Sequence, residues 1–219
     1  MAIRWVVFDI GGILEIIPEG GDPTIRFPQM LANWEDRLGM PQGALGQRIH
    51  AMGERLMAEG KDGAIGTCTE AEWLEQLQLT TGWDQPQLDA FMGDFWDYYC
   101  GNPNPELTSY LASLRPRYST ALLSNSFVGA RREEEARFRF SELVDHILYS
   151  HELGYEKPDP HIFALACERL SAQPEEIIFL DDVEANIAGA QAAGIHAVLF
   201  QNNAQAIADI EARLGEHTI

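Results

Sequence analysis

A chain of 219 residues is long enough for one large domain, or a core with an inserted lobe, around a real hydrophobic interior. Its 15 Lys and Arg against 34 Asp and Glu leave a net charge of −19, which excludes a general nucleic-acid or anionic-membrane surface, since such surfaces need positive patches. The three cysteines, Cys68, Cys100 and Cys167, are odd in number and lack C-x-x-C spacing, which argues against a disulfide scaffold and a structural zinc site. The opening residues Met1 to Trp5 lack the form of a signal peptide, and no apolar run approaches the roughly 20 residues of a membrane span. The expectation is a soluble cytoplasmic protein whose partner is a small molecule, with nothing to indicate oligomeric state. An anionic ligand would have to find its positive charge in a metal ion, a lysine or oriented backbone amides.

The first strand-like run, residues 3–8, ends in Asp9 and is followed at once by Gly11-Gly12, a lone carboxylate on a glycine-lined turn. Residues 18–101 then show helical periodicity throughout. Met30, Leu31, Trp34 and Leu38 mark one stripe, and Leu45, Ile49, Met52 and Leu56 a second. Thr69 with Glu72 forms a capping box opening a third helix, and Leu88, Phe91 and Phe95 line a fourth. The cluster Gly101-Asn102-Pro103-Asn104-Pro105 reads as a linker. A helix over 105–114 leads to a strand at 119–123, which ends in Ser124-Asn125-Ser126. The run Arg131-Arg132-Glu133-Glu134-Glu135, with Arg137 and Arg139, reads as a solvated helix face laced by local pairs.

A third strand, at 146–149, precedes Gly154-Tyr155-Glu156-Lys157-Pro158-Asp159-Pro160, where Asp159 as N-cap and Pro160 as first helical residue open another helix. The strand at 177–180 terminates in Asp181-Asp182; a helix over 183–193 stops at Gly194, and a last strand covers 197–200. Short apolar strands alternating with helices predict an α/β fold with a doubly wound parallel sheet. Residues 1–17 and 102–219 would form this core, and 18–101 an inserted all-α cap. The acids at the strand ends and Lys157 suggest a site for Mg²⁺ and a phosphate.

The ordered set Phe8-Asp9-Ile10-Gly11-Gly12-Ile13-Leu14, Leu122-Leu123-Ser124-Asn125-Ser126, Gly154 through Pro160, and Phe179-Leu180-Asp181-Asp182 with Asn186 and Gly189-Ala190 resembles the haloacid dehalogenase (HAD) superfamily of hydrolases, in its helical-cap form. The resemblance implies a Rossmann-like core and a Mg²⁺-dependent phosphatase acting on a small phosphometabolite. It makes Asp9 the nucleophile that forms an aspartyl-phosphate. Mg²⁺ would be held by Asp9, the Gly11 carbonyl and Asp182, with Asp181 and Asn186 orienting a metal-bound water. Ser124 and Asn125 would contact the phosphoryl group on the Gly11-Gly12 turn, and Lys157 would neutralise that group and Asp9 together.

One position departs from the pattern. The usual family phosphatase carries a second aspartate two residues after the nucleophile, to protonate the leaving oxygen and later activate water; here that residue is Gly11. Such help is typically worth about 10²–10⁴-fold, so a substrate with a good leaving group, such as a sugar 1-phosphate or an acyl phosphate, suffers least. Glu15 or the cap offers a substitute acid, and Glu15 also reads as an ordinary solvated loop residue. Two alternatives remain open: a metal-independent 2-haloacid dehalogenase, whose pattern places an aromatic where Gly11 stands and does not need paired acids, and a catalytically weak relative that binds a phosphate ligand. The tryptophans Trp34, Trp73, Trp83 and Trp96 read as cap core, while Arg48, Arg55 and Lys61 are candidate anion contacts. None of the six histidines has metal-ligand spacing.

Overall fold

The computed structural model describes residues 2–16 and 23–216, with backbone alone for 23–26 and 216. Five parallel strands form the central sheet: β1 (Trp5–Phe8), β4 (Ser119–Ser124), β5 (His146–Tyr149), β6 (Ile177–Asp181) and β7 (His196–Leu199), in the spatial order β5-β4-β1-β6-β7. Alternate residues face opposite sides of the sheet. Val6, Phe8, Leu122, Ile178 and Leu180 pack on one face with α5 (Pro105–Ser113) and α11 (Asn203–Glu216). Trp5, Val7, Ala121, Leu123, Ile177 and Phe179 pack on the other with α9 (Pro160–Leu170) and α10 (Glu184–Ala192). Burial on both faces explains why these strands read as continuous apolar runs. The chain leaves β1 toward β4 and later returns to its other side as β6, so β1 and β6 flank the switch point where open sheets bind ligands.

Four helices follow β1: α1 (Pro23–Leu38), α2 (Ala44–Ala58), α3 (Glu70–Thr81) and α4 (Gln85–Cys100). They enclose a third apolar cluster, in which Trp34 and Trp83 stand 5.4 Å apart and Trp34 meets Phe91 edge-on at 5.5 Å. Trp34, Trp83 and Trp96 are buried and Trp73 packs against this core, as their helical spacing implies. Thr69 and Glu72 do form the capping box of α3. Glu35 is buried as well, and its role is structural. Its carboxylate accepts the N–H groups of Gly43, Leu45 and Gly46 at 2.6, 2.7 and 3.3 Å, closing the start of α2. Burial alone would raise its pKa, and the three amides outweigh that and lower it.

Three features go beyond the expected pattern. The segment read as a linker contains β3 (Asn102–Pro103), antiparallel to β2 (Glu15–Ile16), so the two chain crossings between sheet and helices form one ribbon. Helix α11 adds to the expected elements, although Ala206, Ile210 and Leu214 repeat at helical spacing and are buried. The arginines of α6 (Ala130–Phe138) make the expected local pairs, Arg132 and Arg137 each with Glu133, and also reach beyond their helix: Arg131 pairs with Glu152 at 2.5 Å, Arg132 with Glu70 at 2.6 Å and Arg137 with Asp97 at 2.8 Å. Glu134, in the same run, is buried. The expected boundary between residues 17 and 18 lies outside the described residues.

Candidate active site

Strand register assembles the site. Phe8 pairs with Leu180 of β6 and with Leu122 of β4, so Asp9 and Asp181 end neighbouring strands at one level, with Ser124 one residue beyond it. Lys157 reaches between them, its Nζ 2.8 Å from Asp9 Oδ1 and 2.7 Å from Asp181 Oδ2, with its side chain only 1 % exposed. Asp181 is fully engaged: Val183 N–H donates to Oδ1 at 2.8 Å, and Asn186 Nδ2 lies 3.1 Å from both oxygens. Asp181 and Asn186 thus anchor the lysine and the turn into α10. Burial raises Asp9 to about 6, against the pull of Lys157 and with the help of Asp181. Burial and the Asp181 charge also raise Asp182.

Oxygens of Asp9, Asp181 and Asp182 lie within 4.8 Å of one another. Two ligand oxygens on one Mg²⁺ stand at most about 4.2 Å apart, so a side-chain shift of well under 1 Å brings Asp9 and Asp182 onto a common ion. The donor set therefore fits a hard divalent cation. No histidine belongs to this cluster among the described residues.

The two glycines play different parts. Gly12 has φ +76°, and a Cβ there would stand 2.3 Å from Asp182 Oδ2, so this residue lets the carboxylate approach the turn. Gly12→Ala is expected to weaken Mg²⁺ binding by about 10-fold or more, in the range typical of disturbed ligand support; a titration calorimetry curve matching the parent protein would contradict this role. A Cβ on Gly11 meets nothing within 4 Å, and Gly11 is exposed, so the position that lacks the second aspartate is open space.

Ser124 is buried, its Oγ 3.1 Å from the Asn125 carbonyl. The Asn125 side chain is turned to another use than the one expected: Nδ2 donates to the Lys157 carbonyl at 2.8 Å and Oδ1 accepts the Lys157 N–H at 2.7 Å. It clamps the lysine backbone and so sets the reach of Nζ to Asp9. From the helical lobe, the segment around residues 62–66 settles on the core loops beside these residues. Val128 N–H donates to the Gly63 carbonyl at 3.1 Å, and Ser150 Oγ to the Ala64 carbonyl at 2.7 Å. Of the three cationic residues expected near an anion, Lys61 pairs with Glu72 at 3.2 Å and Arg55 donates to Gln76 at 2.8 Å. Arg48 lies about 10 Å further up α2.

Sequence reasoning passes over a second acidic layer. Glu15 is buried, not a solvated loop residue, and Glu134 accepts a short hydrogen bond from the Tyr149 hydroxyl. Nothing in the pattern of a charged helix marks Glu134 for burial. Burial lifts Glu15 to about 10, assisted by the charges of Glu134 and Asp9. It lifts Glu134 to about 7, against the Tyr149 hydrogen bond and with the Asp9 charge adding. Both folded values exceed the usual glutamate value of 4.5, so their stabilising effect is complete below pH 4.5 and is lost as pH climbs through about 7 and then about 10. Glu134→Gln should therefore flatten the decline in unfolding free energy between pH 5 and 8 in urea titrations, and an unchanged slope would count against it.

Residues 3–194 match the haloacid dehalogenase-like hydrolase family. The chain belongs to that family. Among curated relatives, this HAD-like hydrolase is 24% identical over 237 residues to bifunctional epoxide hydrolase 2 of Sus scrofa, covering 96% of this chain and 39% of that protein. It is 33% identical over 129 residues to the ribulose-1,5-bisphosphate 5-phosphatase of Halopiger xanaduensis, covering 57% of this chain and 54% of the relative. Over 165 residues it is 30% identical to (S)-2-haloacid dehalogenase 1 of a Pseudomonas species, covering 61% and 72%. The chain spans only 39% and 19% of the first two curated relatives it matches. A solved HAD family enzyme from Bacteroides thetaiotaomicron, in complex with magnesium and inorganic phosphate, shares the fold at TM-score 0.66 and 21% identity, covering 91% of this chain and 95% of its own. The fold is thus the doubly wound HAD core, and phosphatases and dehalogenases both stand among the relatives of this hydrolase.

Proposed function

We propose that the chain is a Mg²⁺-dependent phosphatase that hydrolyses a small phosphometabolite through a phosphorylated Asp9. The observation that carries this reading is the second acid at the end of β6: Asp181 is saturated by Lys157, Asn186 and Val183, which leaves Asp182 beside Asp9 for a cation. A dehalogenase attacking carbon has no need of that extra carboxylate. Lys157 and Ser124 would hold the phosphoryl group while an Asp9 oxygen attacks phosphorus in line; the bond to the ester oxygen breaks, and the leaving group departs with its electron pair. Water then attacks the phosphoryl group, releasing inorganic phosphate and restoring the Asp9 carboxylate. Mg²⁺, when bound, supplies the charge neutralisation that an anionic ester requires near three carboxylates.

With Gly11 offering no proton, esters with good leaving groups should turn over fastest. Assay against acetyl phosphate and a panel of sugar phosphates, with Mg²⁺ or excess chelator, tests the reading: phosphate release should require the metal. The relationship to (S)-2-haloacid dehalogenase 1 favours the second reading, in which Asp9 displaces halide from carbon. Halide release from a 2-haloacid that survives chelation would decide for it.

A further inference from the structure

The helical lobe is tied to the sheet domain by more than the β2-β3 ribbon. Residues 126–130, which continue directly from Ser124-Asn125, engage it at successive positions. Phe127 N–H donates to the hydroxyl of Tyr99 on α4, Val128 N–H donates to the Gly63 carbonyl at 3.1 Å, and Ala130 is fully buried in the lobe's own apolar cluster. The Phe127 ring enters that cluster too, edge-on to Trp73 at 5.2 Å and 6.3 Å from Phe95. Beside it, Ser150 Oγ donates to the Ala64 carbonyl and accepts the Ser126 N–H at 2.9 Å, while Ser126 Oγ lies 2.6 Å from His151 Nδ1. The backbones meet without clearance: a Cβ on Gly63 would stand 2.4 Å from the Phe127 ring, and one on Gly66 1.9 Å from the His151 carbonyl oxygen. Arg132 and Arg137 of α6 extend the seam to Glu70 and Asp97 of the lobe.

Lobes joined by a small polar contact move against each other, whereas a shared apolar core must be torn open before they part. Here the core is shared, because Phe127, Ala130 and Phe138 come from the sheet domain and the other members of the cluster from the helices. With the lobe seated, the site still reaches solvent through the exposed Gly11, Asn125 and Asp182. We propose that the helical lobe is locked on the sheet domain, pinned by Phe127, so that ligands pass the rim at Gly11, Asn125 and Asp182 and the lobe does not swing away at each turnover. The lock does not depend on which bond the site breaks.

Spin labels on Met57→Cys in the lobe and Gln191→Cys in the sheet domain, in a Cys167→Ser background, report the distance between the two by pulsed electron resonance; both positions are exposed, and Cys68 and Cys100 are buried out of reach. With Phe127 in place there should be one distance population, its mean moving by less than about 2 Å when Mg²⁺ and inorganic phosphate are added, the scale that separates rigid partners from moving ones. A second population or a larger shift overturns the proposal, and this result decides even if no further variant folds. Phe127→Ala should add a second population; a folded alanine variant that keeps the single one also overturns the proposal. Bridging Glu70→Cys to Arg132→Cys with a short bifunctional thiol reagent then fixes the seam. Phosphate release from acetyl phosphate should stay within about 3-fold of the unbridged protein, because no lid motion is required, and a greater loss overturns the proposal. Absence of phosphate release before bridging would count against the phosphatase reading alone, and the label distances would still decide whether the lobe is locked.

Discussion

Replacing Asp9 by asparagine is expected to lower phosphate release on the order of 10⁴-fold or more while leaving the protein folded. The substitution nearly preserves shape but removes the charge and the nucleophilic carboxylate, and loss of a covalent nucleophile is among the most damaging changes an active site suffers. Lys157 would keep Asp181, 2.7 Å from its Nζ, so the ammonium is not stranded. Relief of repulsion with Asp181 should offset part of the lost ion pair, so stability should change little. The experiment pairs steady-state assay with acid quenching: the parent protein should yield a phosphorylated chain and the variant none. Activity of the variant within 10-fold of the parent would remove Asp9 from the chemistry and with it the proposed mechanism.

Restoring an acid at the vacant position should work in the opposite direction. Gly11→Asp is expected to raise turnover of alkyl phosphates by about 10²-fold, the lower end of what general acid and base help contributes. The backbone there is not in the positive-φ region, and a Cβ would touch nothing within 4 Å, so the substitution carries no built-in strain. Acetyl phosphate, whose leaving group needs no proton, should gain far less in the phosphorylation step. Water attacking the phosphorylated Asp9 also lacks a base in the parent protein, so a burst of one product equivalent should precede a slow steady state, and Gly11→Asp should diminish it. Equal acceleration of alkyl and acyl phosphates would place the limit in hydrolysis of the phosphorylated Asp9, and no acceleration of either would show that proton transfer at this position does not limit the reaction.

The amino-acid sequence determined the order of elements and the chemistry at their ends. Strands buried on both faces must be apolar along their whole length, so β1, β4, β5, β6 and β7 were each legible to within one or two residues, and the acids that end β1 and β6 stood out against them. Caps at Thr69 and Asp159 were legible because they depend on residues only two or three positions away. What tertiary structure alone decided is which partner each polar group takes. Asp181 and Asp182 are adjacent and chemically identical in the chain, yet one is saturated by Lys157 and Asn186 while the other stands against the Gly12 turn with an oxygen near Asp9. Asn125 could be placed beside the site but not assigned to the Lys157 backbone, 32 residues away. Glu15 and Glu134 look like surface acids because burial of a charge is a property of the packed neighbours, and here those neighbours are the Asp9 turn, Tyr149 and the stalk joining sheet to helices. Local periodicity records the face of an element; contacts between distant segments, which fix burial and so acidity, leave no trace in any short window of sequence.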